Sequence, residues 1–126
     1  EEITVVAKLS GKGVKDQAFR TAEDILQAHP GLDAFFGIND DSALGAVAAV
    51  EKAGKLGEVV IVGFDGTPEA RAAIAAGKIH ADVVQQPREI GRRTIGAVAD
   101  YLAGRTVPAE ILVECTLLTR ADLDDE

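Results

Sequence analysis

Asn39, Asp65 and Gln85 each stand just past a short apolar run, and together they offer two amides and a carboxylate. Amides donate and accept at once while an ionised carboxylate only accepts, so such a set suits several neighbouring hydroxyl groups on a small polyol. Each has polar neighbours: Asp40, Asp41 and Ser42 follow Asn39, Gly66-Thr67-Pro68 follows Asp65, and Gln86 follows Gln85. A purely local role competes at the acidic positions, because Asp oxygens beside turns and helix starts bind backbone N–H groups. At Asp41 a helix follows at once, which favours capping. At Asp65 the cap is already offered by Thr67, which leaves the carboxylate for another partner.

Rival chemistries fit less well. Ser10-Gly11-Lys12-Gly13 is basic and Gly-rich but has neither the P-loop order nor a dinucleotide fingerprint, and it reads as a connector. An Mg²⁺-dependent phospho-acceptor pocket from Asp40, Asp41 and Asp65 needs a phosphate clamp, yet Gln85-Gln86 stands where a Lys would close it. His29 and His80 are isolated, so no metal and no cofactor are assigned. No Gly-x-Ser-x-Gly elbow or adjacent nucleophile and base occurs, so an enzyme is not expected. Cys115 is the sole cysteine, and its apolar surroundings predict a buried thiol.

The elements that would position these residues alternate between β and helical periodicity. Ile3–Ala7 reads as a strand. A helical face of Val14, Ala18, Ala22 and Ile25-Leu26 ends before His29-Pro30. Ala34–Ile38 is the next strand, and Asp41–Ala53 the next helix, stopped by Gly54. Val59–Phe64 is a nearly unbroken apolar run, as in a strand covered on both faces. Thr67-Pro68-Glu69 starts a helix that ends at Gly77. Ile79–Val84, a helix from Pro87 to about Ala103, and Ile111–Leu118 complete the series. Asp122–Glu126 reads as a frayed acidic end. This alternation predicts parallel strands joined by right-handed crossovers, hence a three-layer α/β sheet with helices on both faces. In such sheets ligands bind beyond the carboxyl ends of the strands, which is where the polar set lies.

With 126 residues, 47% of them hydrophobic and 27% charged, the chain has the size and make-up of one globular domain. The net charge of −8 argues against nucleic acid or an anionic membrane as a partner. No apolar run approaches the roughly 20 residues that span a bilayer. The start at Glu1-Glu2, with no initiator Met, suggests a processed or excised piece.

Ala28-His29-Pro30, Ile38-Asn39-Asp40 with Ala43-Leu44-Gly45-Ala46, Val62-Gly63-Phe64-Asp65-Gly66-Thr67-Pro68 and Gln85-Gln86-Pro87 resemble, in order and spacing, the periplasmic sugar-binding proteins of the ribose-binding type. Such proteins have two α/β lobes joined by three crossing segments, with the sugar between them, and serve ABC importers. The resemblance implies that residues 1–86 are the C-terminal lobe, without its first strand and helix. It also implies that 87–105 is a helix packing on the absent N-terminal lobe, and 106–126 a returning strand and tail. With that lobe missing, the helix is expected to leave an exposed apolar face, a swapped homodimer or an altered dock. Carried over by position, Asn39, Asp65 and Gln85 become the sugar-contacting residues of a small sugar or polyol site. The implied partner is an ABC transporter permease, and the implied location is periplasmic or extracytoplasmic. Many relatives carry an aromatic residue followed by Asp-Arg where this chain has Gly13-Val14-Lys15, which points away from ribose itself. The Asn-Asp motif is shared with regulators of the lac-repressor type, whose effector-sensing core is the alternative reading. Gly66-Thr67-Pro68 favours the transport side.

Overall fold

Helix α1 (Lys15–Ala28) sets the periodic face of Ala18, Ala22 and Leu26 into the core and ends at His29, just before Pro30. A three-residue strand β1 (Ala34–Phe36) leads to α2 (Asp40–Lys52), and β2 (Val60–Asp65) leads to α3 (Pro68–Ala75). Then follow β3 (Ala81–Val84), α4 (Pro87–Leu102), β4 (Thr116–Thr119) and a single turn, α5 (Arg120–Leu123). The structure, a computed structural model, describes residues 3–123.

The strands form one sheet in the order β1-β2-β3-β4. β1–β2 and β2–β3 are parallel, with Phe35 opposite Ile61 and Gly63 opposite Asp82. Two successive right-handed crossovers advancing in one direction place α2 and α3 on the same face of the sheet. α1 lies against α2 there, and the approach is close at Gly45. A Cβ at that position would stand 2.6 Å from the Lys15 carbonyl oxygen and 2.7 Å from Ala18 Cβ. The core between these helices and the sheet contains Leu26, Val47, Val50, Ile61, Ile74 and Ile79. Each such aliphatic chain contributes about 1.5–3 kcal/mol on burial. The opposite face is open among the described residues: Phe36 is 64% exposed and Leu117 63%.

α4 leaves this body and buries none of its residues. Its companions are the returning residues, since Arg93 donates to the Leu112 carbonyl at 2.8 Å and Gln86 Nε2 to the Glu114 carbonyl at 2.9 Å. Ile95, Val98, Tyr101 and Leu102 remain exposed.

The structure corrects several expectations. Ile3–Ala7 forms no strand, and Ile3, Val5 and Val6 are exposed. A strand exists only through a neighbour's N–H and C=O groups, and among the described residues the outer edge of β1 pairs with nothing. β4 is antiparallel to β3 rather than parallel, with Val84 opposite Thr116 and Ala81 opposite Thr119. No crossover carries the chain back to the start of β3, so it re-enters beside the point where β3 ended. Cys115 is exposed, because the run before Thr116 follows α4 instead of entering the core. Asp122 is engaged rather than frayed, accepting the Thr119 N–H at 2.7 Å and hydroxyl at 2.6 Å. The rest of the expected acidic end, residues 124–126, lies outside the described residues.

Candidate functional site

Asp65 and Gln85 sit at and just past the carboxyl ends of the adjacent parallel strands β2 and β3. Gln85 Nε2 donates to Asp65 Oδ1 at 2.7 Å, and both residues are half-buried. The Asp65 backbone has φ +135°, a conformation that costs a non-glycine residue about 1–3 kcal/mol and persists only where its surroundings impose it. Here the pairing with β3 and the Gln85 contact impose it. One lone-pair site of the carboxylate is taken by Gln85, and the others are available to hydroxyl donors.

Asn39 is placed on the same rim by a different device. It is the N-cap of α2, with extended φ and ψ, and its Oδ1 accepts the Ser42 N–H at 3.0 Å. Its Nδ2 donates to the Gly13 carbonyl at 3.0 Å. The two bonds fix which way the amide points and leave one N–H and one lone pair for a ligand. The Gly-rich loop thus does more than connect elements. The expected cap at Asp41 is corrected: α2 starts at Asp40, so the capping position falls on Asn39 and Asp41 is exposed in the first turn. Asn39 is not hydrogen-bonded to Asp65 or Gln85; the bonds described above hold Asn39 to Gly13 and Ser42, and Asp65 to Gln85. Gln86 points elsewhere, to Glu114.

Behind the rim lies a second polar group. Asp40 is 2% exposed, and its Oδ2 accepts the Thr67 N–H at 2.7 Å, tying the start of α2 to the turn that follows Asp65. Thr67 also caps α3 through its own hydroxyl. Asp82 of β3 is fully buried. Burial first, then the facing carboxyl of Asp40 and the charges of Asp40 and Asp65, push its carboxyl up to about 7, while the nearby Gly66 N–H works in the opposite direction. Gly63 makes room for both: a Cβ there would stand 2.9 Å from Asp40 Oδ1 and 3.3 Å from Asp82 Oδ2. Sequence reading passed over Asp82. Its signal was an acidic residue inside the apolar run of a strand, where a carboxylate needs a specific partner.

Among the described residues no group of three or more His, Cys, Asp or Glu is arranged to hold a metal ion, and no helix is long and apolar enough to cross a membrane.

The family model described as "Periplasmic binding protein domain" matches residues 1–106. The chain is 36% identical over 120 residues to the ribose import binding protein of Bacillus subtilis, an alignment covering 95% of this chain and 39% of that protein. It is 35% identical over 118 residues to the D-allose-binding periplasmic protein of Escherichia coli, covering 93% of this chain and 38% of that one. Among solved structures, an ABC transporter periplasmic solute binding protein from Actinobacillus succinogenes with bound D-allose superimposes with a TM-score of 0.87. It has 29% identity and covers 97% of this chain and 43% of its own. A solute binding protein from Bacillus halodurans with bound myo-inositol gives 0.84 at 29% identity, covering 97% and 42%. The chain therefore spans about two fifths of the length of these curated relatives. With the family model matching residues 1–106, this chain belongs to the periplasmic binding protein family.

Proposed function

We propose that this chain is the C-terminal lobe of the solute-binding component of an ABC importer, holding a small sugar or polyol through Asn39, Asp65 and Gln85. The observation that carries this reading is the Asp65 carboxylate, fixed by Gln85 at 2.7 Å at the ends of two adjacent parallel strands. A carboxylate so held accepts hydrogen bonds from two hydroxyls, and bonds to a charged group contribute about 1.5–3 kcal/mol each. Asn39 and Gln85 each supply a donor and an acceptor at the periphery. The names of the relatives support the ligand class, ribose and allose among proteins and allose and myo-inositol among bound ligands.

In this reading residues 1–86 form the lobe body, 87–105 a helix that seats on an N-terminal lobe, and 106–126 the return. Support comes from α4, which buries nothing in its own chain and exposes Ile95, Val98, Tyr101 and Leu102. An exposed apolar stripe of this kind calls for a cover. The N-terminal lobe supplies it in the whole protein; in the isolated chain the stripe is left exposed, is covered in a swapped homodimer or docks differently. Closure of the two lobes around the sugar creates the form that a transporter permease recognises outside the cytoplasm. The charge of −8 argues against nucleic acid as the main partner of this chain.

A thermal-shift screen of the parent protein with D-ribose, D-allose and myo-inositol tests this. A ligand at a hundred times its Kd adds about 2.7 kcal/mol of stability, an easily read rise. No rise with any of the three, or an upstream helix-turn-helix in the parent gene, overturns the reading in favour of a different ligand class or a regulator.

A further inference from the structure

Asp82 and Asp40 form a buried pair that the hydrogen bonds of ionised groups do not explain. Both Asp82 oxygens and Asp40 Oδ1 are buried with no hydrogen bond closed to them. Asp40 Oδ2 is already occupied by the Thr67 N–H. Asp40 Oδ1 and Asp82 Oδ2 both close on the same point above Gly63. Two ionised carboxylates facing each other there are strongly disfavoured, because neither has a hydrogen to give and both are buried. One proton removes the conflict by turning a pair of acceptors into a donor and an acceptor.

We infer that Asp82 is a positioning residue for the sugar-contacting turn, sharing a proton that it donates from Oδ2 to Asp40 Oδ1. That bond keeps Asp40 beneath Thr67, and the Thr67 N–H in turn anchors the turn carrying Asp65. The role assigned to the turn rests on the sugar-binding reading; the shared proton does not.

The surroundings agree. From α2 comes Asp40, and from the end of β2 comes Asp65, whose charge further opposes ionisation of Asp82. The strand neighbours of Asp82 are Gly63 and Leu118, neither of them titratable. From α3, Arg71 reaches the Gly66 carbonyl at 3.2 Å. At the far end of β4, Asp122 of α5 is engaged by Thr119. Burial outweighs the one group that favours the ionised form, the nearby Gly66 N–H. When the proton leaves, two negative charges face each other, Asp40 is displaced and Thr67 loses its acceptor.

The test is NMR on isotope-labelled protein without sugar, following the Asp82 carboxyl carbon and the exchange of the Thr67 amide. The expected midpoint for Asp82 lies near neutrality. Protection of the Thr67 amide, corrected for base catalysis, should fall on the order of tenfold or more through the same midpoint. Asp82→Asn, which donates but cannot ionise, should keep that protection flat across the range. An Asp82 midpoint in the ordinary carboxylate range, or an unchanged pH response in Asp82→Asn, overturns the inference. Because no sugar is involved, failure here leaves the Asp65–Gln85 assignment standing, and failure of sugar binding leaves the shared proton standing.

Discussion

Raising the pH from 5 to 8 should destabilise the wild-type protein and leave the Asp82→Asn variant nearly unaffected. Asp82 binds its proton more tightly in the folded chain, its carboxyl moving from the ordinary 3.8 to about 7. A raised carboxyl favours folding when protonated, so its contribution is complete below the unfolded value and is lost as pH rises through the folded one. Asp82 is fully buried, so solvent screening does not erode the effect. At 1.36 kcal/mol per pH unit, a shift of this size amounts to roughly 4 kcal/mol in all, of which about 3 disappears between pH 5 and 8. For a chain of this size that corresponds to a fall in Tm of roughly 10 °C. Glu89 and Asp122 shift the other way, held low by Arg92 and Arg93 and by Thr119 respectively. Their contributions are present above their unfolded values and are lost in acid, below this window. His29 and His80 are common to both proteins, so the difference between wild type and Asp82→Asn cancels them. Differential scanning calorimetry across the range reads the effect. Equal slopes in the two proteins would refute the shared-proton reasoning.

Two further changes probe the scaffold of the rim. Gly45→Ala puts a Cβ 2.6 Å from the Lys15 carbonyl oxygen, so α1 and α2 must separate; denaturant unfolding should show a loss of about 1–3 kcal/mol. Asn39→Ala removes the α2 cap and the tether to Gly13, with an expected cost of about 1–2 kcal/mol by the same measurement and weaker sugar binding besides.

Much of this was legible in the residues. Pro30, Gly54, Thr67 and Gly77 mark element ends because each acts through its own backbone or nearest neighbours, and the observed helices stop or start within a residue or two of them. Asn39, Asp65 and Gln85 could be singled out because the carboxyl ends of parallel strands are defined by the same local patterns. What failed depended on distant partners. Ile3–Ala7 has strand composition, but composition does not supply the neighbouring edge. The direction of β4 depends on where α4 delivers the chain, which no residue between 103 and 115 encodes by itself. Cys115 looked buried for the same reason, since an apolar run does not say against what it packs. The Asp40–Asp82 pair joins positions on two elements around a glycine on a third, and only the fold brings them together. The cap at Asn39 was displaced from Asp41 by a helix start one residue earlier than expected.

The central claim is that Asp65, oriented by Gln85, is the principal sugar contact of this lobe. Its direct measurement is a calorimetric titration of the parent protein and its Asp65→Asn variant with D-ribose, D-allose and myo-inositol. Binding of at least one of these by the parent protein, weakened on the order of tenfold to a hundredfold in Asp65→Asn, is the expected result for a lost charge-assisted pair. Equal affinity in the two proteins, or tight binding by this chain alone without the enclosing lobe, would contradict it.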